Sequence, residues 1–113
     1  MSTEFGLDLR LARRKSGFTQ RDIAQLISSH QSTIASLEKG KWPPTIRQIC
    51  MLSLIYGRSF ESLFSEVLAD ARAELRQNLP SIPATDVHSA LSSNREASLQ
   101  KLERRLAAKP AQP

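Results

Sequence analysis

The chain of 113 residues has a single cysteine, Cys50, and only two histidines, His30 and His88. One thiol excludes an internal disulfide, and so few nitrogen and sulfur ligands argue against a zinc site of the usual ligand count. Long apolar runs are also missing. Nothing approaches the roughly eighteen consecutive apolar residues of a membrane-spanning helix, and Met1-Ser2-Thr3-Glu4-Phe5-Gly6 lacks the basic and apolar regions of a secretory signal. The expectation is a cytoplasmic protein with no membrane partner. There is no glycine-rich phosphate loop, no cluster of metal ligands and no nucleophile paired with a base, so neither enzymatic activity nor a cofactor is expected. With 40% hydrophobic and 24% charged residues the chain is globular rather than disordered. Its length suits one compact domain plus an appendage, held together by packing alone.

Acidic residues are scarce in one stretch only. Residues 9–58 carry nine lysines and arginines against Asp22 and Glu38, a net +7. Residues 1–8 contribute −2, and residues 59–113 hold seven charges of each sign. A solvated basic surface is one reading of such a block. A concentrated field of one sign is also how a protein attracts phosphate.

Gly17, Gly40 and Gly57 each follow a helical pattern and precede a new helix start, the place of a left-handed residue after a helix end. Leu7, Leu9, Leu11, Ala12 and Lys15 form a first helix ending at Gly17. Thr19 reads as an N-cap, with Asp22 three residues on completing an approximate capping box. Ile23, Ala24, Leu26 and Ile27 give a second helix its apolar stripe, and Ser28-Ser29-His30 stops it. A third helix spans residues 31–39, with Ile34 and Leu37 facing inward. Its other face is Gln31, Ser32, Ala35, Ser36 and Lys39. Small polar side chains are a poor choice for helix propensity, but they let a helix approach another surface closely, as the base edges of a major groove require.

Lys41-Trp42-Pro43-Pro44 is a stiff extended connector, after which Thr45 is another N-cap with Gln48 three residues on. The fourth helix, with Ile46, Ile49, Cys50, Met51, Leu52, Leu54, Ile55 and Tyr56, is apolar almost all round and is expected to be covered on more than one side, with Cys50 in the core. Ser59 caps a fifth helix whose apolar spacing, Phe60, Leu63, Phe64, Val67, Leu68, Ala71 and Leu75, runs for nearly twenty residues. Residues 67–79 exceed what one small core needs, so they are a candidate dimerisation or partner surface. Leu79-Pro80-Ser81-Ile82-Pro83 ends that helix. The serine-rich segment to Asn94 reads as a linker. Leu91, Leu99, Leu102 and Leu106 mark one face of a short final helix, and the closing Ala-Lys-Pro-Ala-Gln-Pro is expected to fray.

The run Gly17-Phe18-Thr19-Gln20-Arg21-Asp22-Ile23-Ala24-Gln25-Leu26-Ile27, with Gln31-Ser32-Thr33-Ile34 and Leu37-Glu38-Lys39-Gly40-Lys41, resembles the phage repressor/Cro type (XRE-like) helix-turn-helix family. The likeness extends from about Leu9 to Phe64. It implies an all-α fold: a compact five-helix repressor-like DNA-binding domain over residues 1–66, a fifth helix extended over residues 67–79, and a linker with a short C-terminal helical tail over residues 80–113. In that family the second helix of the motif lies in the major groove while the first crosses the backbone. Carried over, Gln31, Ser32 and Ser36 are base-contacting. A glutamine amide can both donate to and accept from one adenine edge. Gln20 would bind phosphate and buttress Gln31. Lys39, Lys41, Trp42, Thr45 and Arg47 are the further phosphate contacts. Arg13 and Glu38 stand where similar proteins have an ion pair between the first helix and the end of the recognition helix. The turn departs from the family pattern: Ser28, Ser29 and His30 stand where glycine, an apolar residue and a serine or threonine cap are usual. A left-handed Ser28 carries a side-chain penalty, and His30 is a weak cap for which Ser29 is the alternative.

The function these features imply is a sequence-specific, double-stranded-DNA-binding transcriptional regulator, a repressor-like homodimer on an inverted-repeat operator. The alternative is a protein-binding adaptor, of antiactivator or antitoxin-like kind, that uses the C-terminal helices to hold a regulatory protein partner. The +7 block favours the first.

Overall fold

The computed structural model describes residues 4–83 and 90–107. Among them are seven α-helices and no strand: α1 (Phe5–Ser16), α2 (Gln20–Leu26), α3 (Gln31–Glu38), α4 (Ile46–Tyr56), α5 (Phe60–Leu63), α6 (Ser65–Asn78) and α7 (Ala90–Ala107), with a 3-10 turn at Leu79–Ser81. The all-α class is as the sequence pattern predicts; the five-helix count is not. The chain divides into two units, residues 1–70 and 71–113.

Local sequence explains the beginnings and ends of the first helices. Thr19 and Thr45 each close a capping box: the Thr19 hydroxyl accepts from the Asp22 N–H at 3.0 Å while the Thr19 N–H donates to Asp22 at 2.9 Å, and Thr45 and Gln48 exchange the same two bonds at 3.1 and 2.9 Å. Ser59 caps α5 through the Ser62 N–H. The four helices α1 to α4 share one exit, in which an N–H two or three residues past the helix end returns to a carbonyl of its last turn: Phe18 to Arg13, Ser29 to Ala24, Lys41 to Ser36 and Arg58 to Ser53. This exit needs a left-handed residue. Gly17, Gly40 and Gly57 supply it three times; at the end of α2 it is Ser28, at φ 56°, the one non-glycine residue with positive φ among the described residues.

The core of the first unit collects Phe5, Leu9 and Ala12 from α1, Ile23 and Ala24 from α2 with Ile27 just past its end, Ile34 and Leu37 from α3, Leu52 from α4, and Leu63 and Phe64. Leu9 and Ala12 are buried as their spacing predicts, but Leu7 and Leu11 are exposed, and Phe5 takes the place at the start of the helix. On α2 the stripe is narrower than expected, since Leu26 is 54% exposed. The fourth helix is covered on one side only. Leu52 is buried, whereas Ile46 is 82% and Leu54 83% exposed, and Cys50 is exposed rather than in the core. A 3.6-residue stripe tells how many faces are apolar, not how many neighbours arrive to cover them.

The long fifth helix of the sequence reading is two helices, interrupted at Phe64, whose φ of −121° and ψ of 38° leave the helical region. Two contacts account for the break. The Phe64 ring is drawn into the core, 6.2 Å from Phe5 and stacked on Phe60 at 5.3 Å. The Ser62 carbonyl accepts from the Arg58 guanidinium at 3.0 Å, a side-chain partner at the point where the helix stops.

In the second unit, Arg72 and Arg76 lie one turn apart on α6 and reach the last turn of α7. Arg72 donates to the Arg105 carbonyl at 2.7 Å, and Arg76 to the Leu106 carbonyl through Nε at 2.9 Å and through Nη2. The last carbonyls of a helix have no intrahelical donor, so cationic forks satisfy them and suit the negative end of its dipole. Helix α7 starts at Ala90, which makes Ser92, Ser93 and Asn94 helical rather than part of a linker, and its 18 residues exceed the short tail expected. The remainder of the expected linker, residues 84–89, and the fraying end, residues 108–113, lie outside the described residues.

Candidate nucleic-acid interface

Helix α3 is held by its buried side. Ile34 and Leu37 anchor it in the core, and Glu38 is buried beside them. The Arg13 guanidinium grips the Glu38 carboxylate with both arms, Nε to Oε2 at 2.7 Å and Nη2 to Oε1 at 3.0 Å, while Nη1 donates to the Phe18 carbonyl at 3.0 Å. The two side chains are only 12% and 4% exposed. The carboxylate favours the charged guanidinium and raises the Arg13 pKa, with desolvation acting against it. A planar fork matched to a carboxylate fixes orientation as well as distance, so this pair sets the end of α3 relative to α1.

Two further side chains complete the cluster. Gln20, expected at the phosphates and against Gln31, has its amide N–H on Glu38 Oε1 at 3.2 Å. Half-buried Tyr56 has its phenol pushed up to about 12 by burial, with the Glu38 charge adding to the shift and Arg13 opposing it. The sequence signal for Tyr56 was its place at the last turn of an apolar helix, which does not distinguish core from site. Gly6 was missed altogether. A Cβ there would lie 2.6 Å from the Glu38 carbonyl oxygen and 2.7 Å from the Gly40 nitrogen, so α1 passes backbone to backbone over the exit of α3.

The outward side of α3 presents Gln31 and Ser32 exposed, with Ser36 one turn on partly covered. Helices α2 and α4 start under threonine caps, but α3 starts at His30, whose side chain makes no capping bond, and Ser29 does not replace it. Ser29 instead closes the turn, its N–H on the Ala24 carbonyl at 2.8 Å. An open hollow of about 530 Å³ lies between the starts of α2 and α3, lined by Arg13, Phe18, Thr19, Gln20, Arg21 and Gln31. Arg21 was not singled out from the sequence; its signal was its membership in the basic block.

At the other end of α3, Lys39, Lys41 and Trp42 are exposed, Trp42 by 67%, so the indole is open to solvent. Thr45 and Arg47 are exposed at the start of α4. Because Gln48 occupies the Thr45 backbone N–H and donates to its hydroxyl oxygen, the hydroxyl hydrogen is the group Thr45 has left to give. Among the described residues no group of His, Cys, Asp or Glu side chains converges to hold a metal ion, and no helix is long and apolar enough to cross a membrane.

This arrangement is that of a known class: the chain belongs to the helix-turn-helix domain family, which matches residues 4–62. A relative from Archaeoglobus fulgidus, described as an uncharacterized HTH-type transcriptional regulator, is 34% identical over 56 residues, which make up 50% of this chain and 80% of that protein. No solved structure matches the chain.

Proposed function

We propose that this protein is a sequence-specific DNA-binding transcriptional regulator of the phage repressor/Cro type, a repressor-like homodimer that reads an inverted-repeat operator in the cytoplasm. The observation that carries the reading is the two-sidedness of α3: Ile34, Leu37 and Glu38 are buried and clamped, and the opposite side holds exposed Gln31 and Ser32 with Ser36 one turn on. Short polar groups on a rigid rod suit base edges in a groove about 12 Å wide.

In this reading Gln31, Ser32 and Ser36 meet base edges. Lys39, Lys41 and Arg47 neutralise phosphates, with Trp42 and the Thr45 hydroxyl donating beside them. The hollow beside Gln31 adds Arg21 to the phosphate-facing set, while Gln20, bonded to Glu38, keeps an amide oxygen and a second N–H for buttressing Gln31 or meeting a phosphate. Phosphate contacts position and base contacts specify, so the two sets have different signatures.

The test is duplex selection from random sequence followed by titration at several salt concentrations. Gln31→Ala should relax base preference at one position in each half-site, by about 1–3 kcal/mol of discrimination. Lys39→Ala should weaken all sequences alike and lower the salt slope by about one. Equal effects of both changes on every sequence refute these roles.

A further inference from the structure

Positive charge gathers a second time outside the first unit, at the end of α7. Lys101, Arg104 and Arg105 are all exposed, and spacings of three and four put them side by side on the last turns of the helix. Leu99, Leu102 and Leu106 mark another side, where Leu106 is buried and the two before it are partly covered. Glu103 lies off the basic row, because residues one or two apart on a helix do not face each other. Three and four places before the cations stand Ala97, Ser98, Gln100, Lys101 and Leu102, so no carboxylate is spaced to support them. Neither of the ion pairs formed among the described residues, Arg13–Glu38 and Arg95–Glu96, involves them.

Cations in a last turn ordinarily balance the carbonyl end of the helix dipole, which amounts to about half a negative charge. On α7 that role is already filled. Arg72 and Arg76 reach across from α6 and hold the Arg105 and Leu106 carbonyls, so two guanidinium charges meet that half charge before the basic row is counted. Lys101, Arg104 and Arg105 are in excess of it. Lys101 has Arg104 three places on and Arg105 four places on, and like charges at these spacings weaken a helix. The row therefore destabilises its own helix until an anion comes to neutralise it.

We infer that Lys101, Arg104 and Arg105 form a second DNA-binding surface, which holds the phosphate backbone of the bound duplex without reading its sequence; the inference rests on the DNA-binding reading above. Charge density selects the occupant. The row is about 6 Å long, and a duplex carries one negative charge per about 1.7 Å of its axis, so several phosphates come within reach of it together. An anionic bilayer is also densely charged, but a helix lies on a bilayer by burying an apolar face in it. The leucine side of α7 is not free for that, Leu106 being only 5% exposed. Once the first unit is on DNA, the rest of the chain meets the same duplex at high effective concentration, so a contact of three cations suffices.

The test uses the full-length chain with three probes: a duplex recovered by selection from random sequence with long flanks, a scrambled duplex of the same length, and vesicles rich in phosphatidylserine. Lys101→Gln, Arg104→Gln and Arg105→Gln combined remove the charge, keep the helix propensity and leave Arg72 and Arg76 in place. The triple variant should bind both duplexes about tenfold or more weakly, with a salt slope lower by about two to three. The affinity ratio between the duplexes should not change, and the melting midpoint should not fall. Arg104→Lys with Arg105→Lys, which keeps the charge, should bind like the parent. Parent-like affinity and salt slope in the triple variant refute the second surface and leave the roles of the first unit standing; a loss confined to the selected duplex refutes its indifference to sequence. Vesicle binding that the triple variant loses while its duplex binding is unchanged assigns the row to a membrane surface and overturns the inference. A parent that binds neither duplex overturns the DNA-binding reading itself.

Discussion

Replacing Gly6 with alanine probes how α3 is positioned, because the substitution adds one methyl where α1 passes backbone to backbone over the exit of α3. That carbon would lie 2.6 Å from the Glu38 carbonyl oxygen and 2.7 Å from the Gly40 nitrogen, well inside the 3.4 Å at which ordinary contact begins. Both neighbours are backbone, so no rotamer change relieves the overlap, and α1 and the end of α3 must part by about 0.8 Å in a close-packed interior. Overpacking of this kind costs about 1–3 kcal/mol. Alanine recovers up to about 1 kcal/mol of helix propensity over glycine. The net expectation is a loss of about 1–2 kcal/mol, read in a urea titration, or a fall in melting midpoint of roughly 5–15 °C. Leu7→Ala, on the exposed side of the same turn, is the control and should change stability by less than about 0.5 kcal/mol. DNA affinity should fall with Gly6→Ala even where the protein is fully folded, since Glu38 moves with the α3 exit. A Gly6→Ala protein as stable as the parent, or more so, refutes the close passage of α1 over α3.

The remaining expectations concern the turn and the clamp. Ser28→Gly should stabilise the fold by about 1 kcal/mol in chemical denaturation, because glycine carries no side-chain penalty at φ 56°; a loss of stability would mean that Ser28 is not strained. Arg13→Ala and Glu38→Ala should each cost about 3 kcal/mol or more by stranding the other charge, and the double variant should cost clearly less than their sum. Additive costs would show that the pair is not coupled. Tyr56 ties stability to alkaline pH. The unfolded phenol titrates near 10.0 and the folded one at about 12, so between these values the native state keeps a proton that the unfolded state has lost. Stability is therefore complete below pH 10 and falls as pH rises toward 12. The loss is about 1 kcal/mol once the partial solvation of the ring is allowed for. Tyr56→Phe should remove that slope from denaturant titrations, and an unchanged slope refutes the assignment.

The caps and exits of the helices could be read directly along the chain. Thr19 with Asp22, Thr45 with Gln48, Ser59, and the glycines at 17, 40 and 57 act through neighbours a few residues away, so their chemistry is complete within a short stretch of sequence. The polar face of the third helix was legible for the same reason, and the missing glycine at Ser28 already implied a strained turn. Arg13 and Glu38, 25 residues apart, came within reach only through likeness to other proteins.

Other features depend on which helix arrives at which place. Gly6 looks like an ordinary residue before a helix until α3 lies against it. Cys50, Ile46 and Leu54 have the composition of core residues, yet the neighbours of α4 cover only its other side. The apolar spacing from Phe60 to Leu75 is unbroken, but the pull of the core on Phe64 and the Arg58 bond to Ser62 stop the helix there. Periodicity records a residue's preference for burial. Whether the preference is met is settled by long-range packing, and a local pattern contains no term for it.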